Sequence, residues 1–204
     1  MSSASPHDAS SLDELAFELI SSRRSIAPRH LVAPGPSSAQ LHRLLEAAAC
    51  APDHKEQVPF RFIRIADDQR ERLADLFERA LVDRDAAALP AERARAREKA
   101  HRAPMLLLAV ARLEPAHPDV PPRERFVSLG AALMNLLLAA HSMGFAGMLT
   151  SGKALRLAST AEAFALGAGE EPVCFVSLGT PTKNKSRVRP RPDQLLSDWV
   201  PPVA

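Results

Sequence analysis

Residues 126–152 read FVSLGAALMNLLLAAHSMGFAGMLTSG and contain no Lys, Arg, Asp or Glu. How this stretch is read decides the fold. A bilayer-spanning helix needs ~20 predominantly apolar residues, but here Ser128, Gly130, Asn135, His141, Ser142 and Gly144 interrupt the run. The alternative is a long buried helix, from about Arg123 to Met143, stopped at Gly144 and followed by a short strand, Phe145 to Leu149. A helix that is apolar nearly all round must be covered on every side, by its own sheet and by something else.

Outward from this centre the chain alternates helices and strands. Ser11 and Glu14 form a capping-box signature, with Leu12, Leu15, Phe17, Leu19 and Ile20 as the apolar face of a first helix ending near Ser22. Ser37 and Gln40 repeat the signature before Leu41, Leu44, Leu45 and Ala48. Phe60 to Ile65 reads as a strand, Asp68 and Glu71 cap the next helix, and Pro90 opens a polar helix, Ala91 to Arg102. Met105 to Ala111 is a continuous apolar run, as expected for a central strand buried on both faces. Ser159 and Glu162 cap a short helix with Gly167 as its C-cap, and Val173 to Leu178 is a strand. The pattern predicts a single α+β domain over residues 1–204, with residues 1–10 flexible and 182–204 an extended C-terminal arm.

Composition narrows the function. The 26 Lys+Arg and 24 Asp+Glu leave a net charge of only +2, and the aromatic content is 4% with no Tyr. Neither a polyanion-binding surface nor a base-stacking platform is expected, so nucleic acid is not the predicted partner. The polar start, Met1 to Ser11, has neither a basic nor an apolar signal region. Cys50 and Cys174, the only cysteines, cannot build a disulfide framework or a Cys-rich zinc site. Together these features predict a reduced, cytoplasmic protein without membrane association.

No nucleotide-binding glycine loop, zinc-protease helix or nucleophile elbow occurs, and the histidines lack metal-ligand spacing. Arg23-Arg24-Ser25 follows a helix directly. Two guanidiniums and a hydroxyl there either grip a phosphate or complement the helix C-terminus. Lys185-Ser186-Arg187 and Arg189 are a second basic group, either another phosphate grip or a solvated tail. Arg93, Arg95, Arg97, Lys99 and Arg102, interspersed with Glu92 and Glu98, read as a solvated helix face, with an anion or nucleic-acid face as the alternative. Asp53-His54-Lys55-Glu56 is either a functional loop or a polar surface turn. Cys50, on an Ala-rich helix end, is expected to be a small buried hydrophobe.

Four landmarks, in order, resemble the nitroreductase-like FMN-dependent oxidoreductases, especially their compact members. These are Arg23-Arg24-Ser25, the run Ala51-Pro52-Asp53-His54-Lys55 with the strand Pro59-Phe60-Arg61-Phe62, the Gly144-Phe145-x-Gly147 turn with Ser151-Gly152, and Leu178-Gly179-Thr180-Pro181. The resemblance implies a central antiparallel-type sheet flanked by helices, in an intertwined homodimer. Long central helices would pack across the dimer axis, and each C-terminal arm would embrace the other subunit. FMN would lie at the subunit interface. Arg23, Arg24 and Ser25 would hold its phosphate and ribityl chain, and Lys185 or Arg187 would complete the grip. His54 would meet the flavin from the partner. Cys50, which stands where close relatives carry Arg, counts with the cofactor-binding positions. Leu149, Thr150, Ser151 and Gly152 would lie under the ring, with a backbone N–H near N5. The implied reaction is ping-pong transfer of two electrons from NAD(P)H to a small-molecule acceptor, a nitroaromatic or quinone, with no catalytic side chain or metal. The loop departs from the family at Glu56 and Val58, where many members carry the amides of their Asn and x-Gln-Pro-Trp pattern.

Overall fold

A computed structural model of the chain describes residues 6–114, 117, 119–184, 186 and 188–202, with residues 6–10 described by backbone alone. Eleven main elements follow in order: α1 (Pro6–Ser22), β1 (Leu31–Val32), α2 (Ser38–Ala49), β2 (Phe60–Arg64), α3 (Arg70–Val82), α4 (Pro90–Glu98), β3 (Met105–Arg112), α5 (Pro122–Ser142), β4 (Ala146–Thr150), α6 (Ala158–Ala163) and β5 (Glu170–Pro181). All strand pairs are antiparallel. β5 is the spine: β3 lies along one edge, with β2 beyond it, while β4 and β1 share the other edge.

Both faces of the sheet are covered, which explains why β3 reads as an unbroken apolar run. Leu107, Ala109 and Ala111 pack with Leu41, Leu44 and Ala48 of α2 and with Leu129, Leu133, Leu136, Leu137 and Ala140 of α5. The alternate residues Leu106, Leu108 and Val110 pack with Leu73, Ala74 and Leu76 of α3 and with Phe175. Strand side chains alternate between faces, so a single run serves both cores.

Helix α5 is the one helix among the described residues long and apolar enough to cross a bilayer. Its apolarity is accounted for by packing on α2 and the sheet. Residues 129, 133, 136, 137 and 140 lie within the core of one chain, so they are not the surplus that calls for a partner. The less covered stripe is instead Val127, Ala131, Met134 and Leu138: Val127 is 70% exposed, Met134 and Leu138 are half-buried, and half-buried Ala131 also touches the core. This four-three-four spacing is that of a helix–helix seam. Leu12, Leu15 and Phe17 of α1 are also exposed, at 68, 63 and 71%.

Several boundaries differ from the sequence reading. α1 begins at Pro6, upstream of the Ser11 box. α3 starts at Arg70 after a 3-10 turn, Asp67–Gln69, and has no side-chain cap. α6 stops at Ala163, and the left-handed residue after it is Ala165 (φ 47°), so Gly167 is not its C-cap. By contrast, the Ser37–Gln40 capping box forms in full, and Gly144 (φ 82°) turns the chain out of α5 where glycine alone is unstrained.

Candidate active site

Arg23-Arg24-Ser25 leaves α1 and meets the open edge of β4. Ser25 bridges to Gly147, and the Ile26 N–H donates to the Gly147 carbonyl at 3.2 Å. Position 147 itself has no room for a side chain: a Cβ there would lie 2.7 Å from Leu178 Cδ2 and 2.9 Å from Leu137 Cδ2 in the core beneath. Arg23 Nη1 donates to Ser25 Oγ at 3.5 Å, and Arg24 Nη1 to the Arg23 carbonyl at 3.0 Å. Arg189 folds back on the same turn, donating from Nη2 to the Arg23 carbonyl at 2.8 Å. Lys185 and Arg187 lie outside the described residues.

A cleft of about 350 Å³ opens beside this turn, with Arg24, His141, Thr182, Lys183 and Asn184 in its wall. His141, in the last turn of α5, sits 2.8 Å from Ser22 Oγ through Nε2. Burial, and then the Arg23 and Arg24 guanidiniums, hold its pKa below the ordinary 6.5. This pocket of cations and hydroxyls suits a dianionic phosphate. Sequence reading missed His141, which registered only as an interruption of an apolar run, because nothing local signals that α5 ends beside residue 23. Lys183, two residues past β5, was missed because the basic groups of the tail were read only from Lys185 onward.

At the other end of the five-residue β4 the chain emerges as Thr150, Ser151 and Gly152. Ser151 and Gly152 are exposed, and among the described residues no carbonyl or side chain accepts from their N–H groups. Leu149 pairs with Val176 and Thr150 with Phe175. The two side chains therefore leave on opposite faces of the sheet, Leu149 toward the α5 side and Thr150 toward the α3 side.

The Asp53–Pro59 loop is elsewhere. β2 starts at Phe60, opposite Ala111, which pairs with Glu171, whereas Gly147 pairs with Leu178. Seven residues along β5 separate the two ends, about 23 Å at 3.3 Å per residue. The loop is pinned to the start of α5 by His54 Nδ1–Glu124 Oε2 at 3.0 Å and by Arg125 Nη2–Gln57 Oε1 at 2.6 Å, and to the preceding connection by Lys55 Nζ–Asp119 Oδ2 at 2.6 Å. Arginine can only donate, so Gln57 turns its oxygen to Arg125, and its buried Nε2 donor is left without a partner. Lys55, Glu56 and Val58 all have positive φ (62, 52 and 46°). For a β-branched valine this is a strained conformation, of the kind that concentrates at functional sites.

Cys50 is exposed rather than buried. It lies at the C-cap of α2, two residues past the last buried position, Ala48, with Sγ donating to the Glu46 carbonyl at 3.4 Å. Cys174 is the buried thiol, and burial pushes its pKa up to about 11. No group of His, Cys, Asp and Glu suited to a metal occurs among the described residues. One chain thus brings Arg23, Arg24, Ser25 and β4 together, and leaves His54 and Cys50 apart from them.

The family model described as the nitroreductase family matches residues 20–180. A Haemophilus influenzae protein carrying the provisional name NAD(P)H nitroreductase is 35% identical over 173 residues, 84% of this chain and 91% of that protein. A nitroreductase-like family protein from Bacillus cereus shares the fold, with a TM-score of 0.75 at 19% identity over 98% of both chains. A provisionally named nitroreductase from Desulfovibrio desulfuricans, solved in complex with FMN, has a TM-score of 0.67 and 25% identity, covering 98% of this chain and 100% of its own. With a match running from the last turns of α1 to the last strand, and a relative more than a third identical along most of its length, this chain belongs to the nitroreductase family.

Proposed function

We propose that the protein is an FMN-dependent oxidoreductase of a reducing compartment that uses NAD(P)H and works as a homodimer with flavin at the subunit interface. The observation that carries this reading is the pairing of Ser25 with Gly147. It sets the Arg23-Arg24-Ser25 turn, the candidate phosphate grip, at the start of β4, while two open N–H donors follow the end of the same strand. The donor set fits the group. Arg23, Arg24, Ser25 and Lys183 would hold the phosphate, and the Ser151 and Gly152 N–H groups would meet the polar edge of the ring, where such donors stabilise developing negative charge. When bound, FMN supplies a two-electron relay from NAD(P)H to a nitroaromatic or quinone acceptor, alternating between the two substrates in ping-pong order.

Helix α5 supports the shared site. It carries Glu124, which holds His54, in its first turn and His141 in its last. With 21 residues at 1.5 Å each it is about 31 Å long. A two-fold axis across its less covered stripe sets the start of one α5 beside the end of the other. In that arrangement the partner's Asp53–Pro59 loop, with its strained residues, would lie toward the Arg23 turn.

The test is purification followed by exhaustive dialysis and a spectrum, then NAD(P)H consumption with a quinone and with a nitroarene. Stoichiometric FMN and turnover with either acceptor are expected. A protein that neither retains nor rebinds FMN overturns the reading. One that holds FMN but oxidises neither NADH nor NADPH replaces it with a flavin-binding role without reductase activity.

A further inference from the structure

A larger cleft, of about 770 Å³, opens on the α3 face of the sheet. One end includes Thr150, Gly152 and Lys153. From there it runs over Phe175 and Leu106 to the end of α3 and the length of α4. Its volume is that of a small-molecule site, and its chemistry is divided. The floor is apolar, with Phe77, Leu81, Leu106 and Phe175, and the walls are cationic, with Arg84, Arg95, Lys99 and Lys153.

These cations differ from the others on the same helices. Arg97 is held by Glu71, Asp75 and Glu78 of α3. Arg102 pairs with Glu98 at 3.1 Å, and Arg93 donates to the Ala88 carbonyl at 3.1 Å. Arg84, Lys99 and Lys153 have no hydrogen-bond or ion-pair partner among the described residues, and Arg95 makes no hydrogen bond there, its charge felt only by Glu98, whose hydrogen bonds go to Arg102. The acid in the lining, Glu92, already accepts from the Leu89 N–H at 2.9 Å. Arg95 and Lys99 stand four apart on one helical face. Like charges gathered in one cleft repel each other in the empty protein, and an anion with several charges relieves that repulsion.

We propose that this cleft binds the adenosine end of the reductant and selects the 2′-phosphorylated form, NADPH, over NADH. The inference rests on the reading above that the protein oxidises a nicotinamide nucleotide. The apolar floor suits a flat purine. The guanidiniums of Arg84 and Arg95 suit phosphate oxygens, which they can meet bidentately, and Lys99 adds a point charge. The end at Thr150 and Gly152 is shared with the segment assigned to the flavin ring, so a nucleotide lying here reaches the redox centre. The partner's C-terminal arm, with exposed Leu195, Leu196 and Trp199, is a poorer match. Its Asp193 is already taken by Arg191, which leaves Asp198 as the one acid to set against the cleft's several cations.

The experiment is calorimetric titration of the FMN-loaded and FMN-free protein with 2′,5′-ADP, 3′,5′-ADP and 5′-AMP. The wild type is expected to bind 2′,5′-ADP at least tenfold more tightly than 5′-AMP. The double variant Arg95→Glu, Lys99→Glu should lose that margin while keeping its circular dichroism and its FMN content. Its KM should rise for NADPH and stay level for NADH. Equal binding of 2′,5′-ADP and 5′-AMP overturns the proposal. So does a preference for 3′,5′-ADP, which would assign the cleft to a coenzyme A-type ligand. So does affinity that emerges only when residues 190–202 are deleted, which would assign the cleft to the arm. Selective 2′,5′-ADP binding without NAD(P)H oxidation would leave the cleft in place and remove the oxidoreductase reading. Oxidation of both nucleotides without selective binding would do the reverse.

Discussion

Arg23 and His141 lie close enough for the guanidinium to lower the imidazole pKa, and the proposed phosphate site gives each its own test. Charge-assisted hydrogen bonds contribute roughly 1.5–3 kcal/mol each, so Arg23→Glu is expected to weaken FMN binding by at least two decades without unfolding the protein. Quenching of flavin fluorescence on titration, beside a melting curve, measures both. For His141 the sign follows from its lowered pKa. Below its ordinary value of 6.5 the unfolded chain takes the proton more readily than the fold does. Stability is therefore unaffected above that pH and falls as pH drops below it. His141→Gln should flatten the loss of melting temperature between about pH 7 and 5.5; an unchanged slope would place the titrating group elsewhere. Phosphate bound beside His141 favours its charged form, so FMN binding near pH 6 should take up protons, and in unbuffered solution this is visible as a rise in pH.

At the scale of elements, the 4-3-4 stripe on α5 and the close contact at β4 carry different consequences. Leu138→Glu puts a charge into the seam while sparing the Leu129, Leu133 and Leu136 core, so light scattering should show dissociation to folded monomers at micromolar concentration. Gly147→Ala leaves the seam alone but drives a Cβ into Leu178 and Leu137. Overpacking of this kind costs about 1–3 kcal/mol, and chemical denaturation should show it. The sequence made most of these elements legible: the apolar run of β3, the caps of α2 and the uncharged length of α5 each carry a local signal. The side of α5 that stays less covered was not legible, because leucines lie on both sides and only the position of α2 decides between them. Cys50 was misread for a related reason. Its Ala-rich neighbourhood looks buried, yet the helix ends one residue before it. The Arg-Arg-Ser turn and the His54 loop were legible as motifs, but their separation within one chain follows from strand register, which composition does not encode.

For the whole molecule, the sheet is closed at the end far from the phosphate grip by an ion pair of a different kind. Arg61 meets Glu170 through Nε and Nη2, at 2.6 and 2.7 Å, and the Gly167 N–H adds a third bond at 3.0 Å. The Arg61 hydrogen bonds lead in holding the Glu170 pKa at about 2, against an ordinary 4.5. A depressed carboxylate stabilises the fold fully above the ordinary value and loses that contribution as pH falls toward 2. Glu170→Gln should therefore lower stability at neutral pH and make the acid limb of the unfolding curve shallower, a difference that vanishes below about pH 2. The length of α5, with one grip at each end, has a genetic consequence. In the shared-site homodimer proposed above, a chain carrying Arg23→Glu and a chain carrying His54→Ala would each be defective in both sites of its own homodimer. A mixed dimer gathers both lesions into one site and leaves the other intact. Co-expression of two such alleles should restore about a quarter of the wild-type sites, the share expected from random pairing around a two-fold axis. Two damaged genes would then complement each other within a single locus.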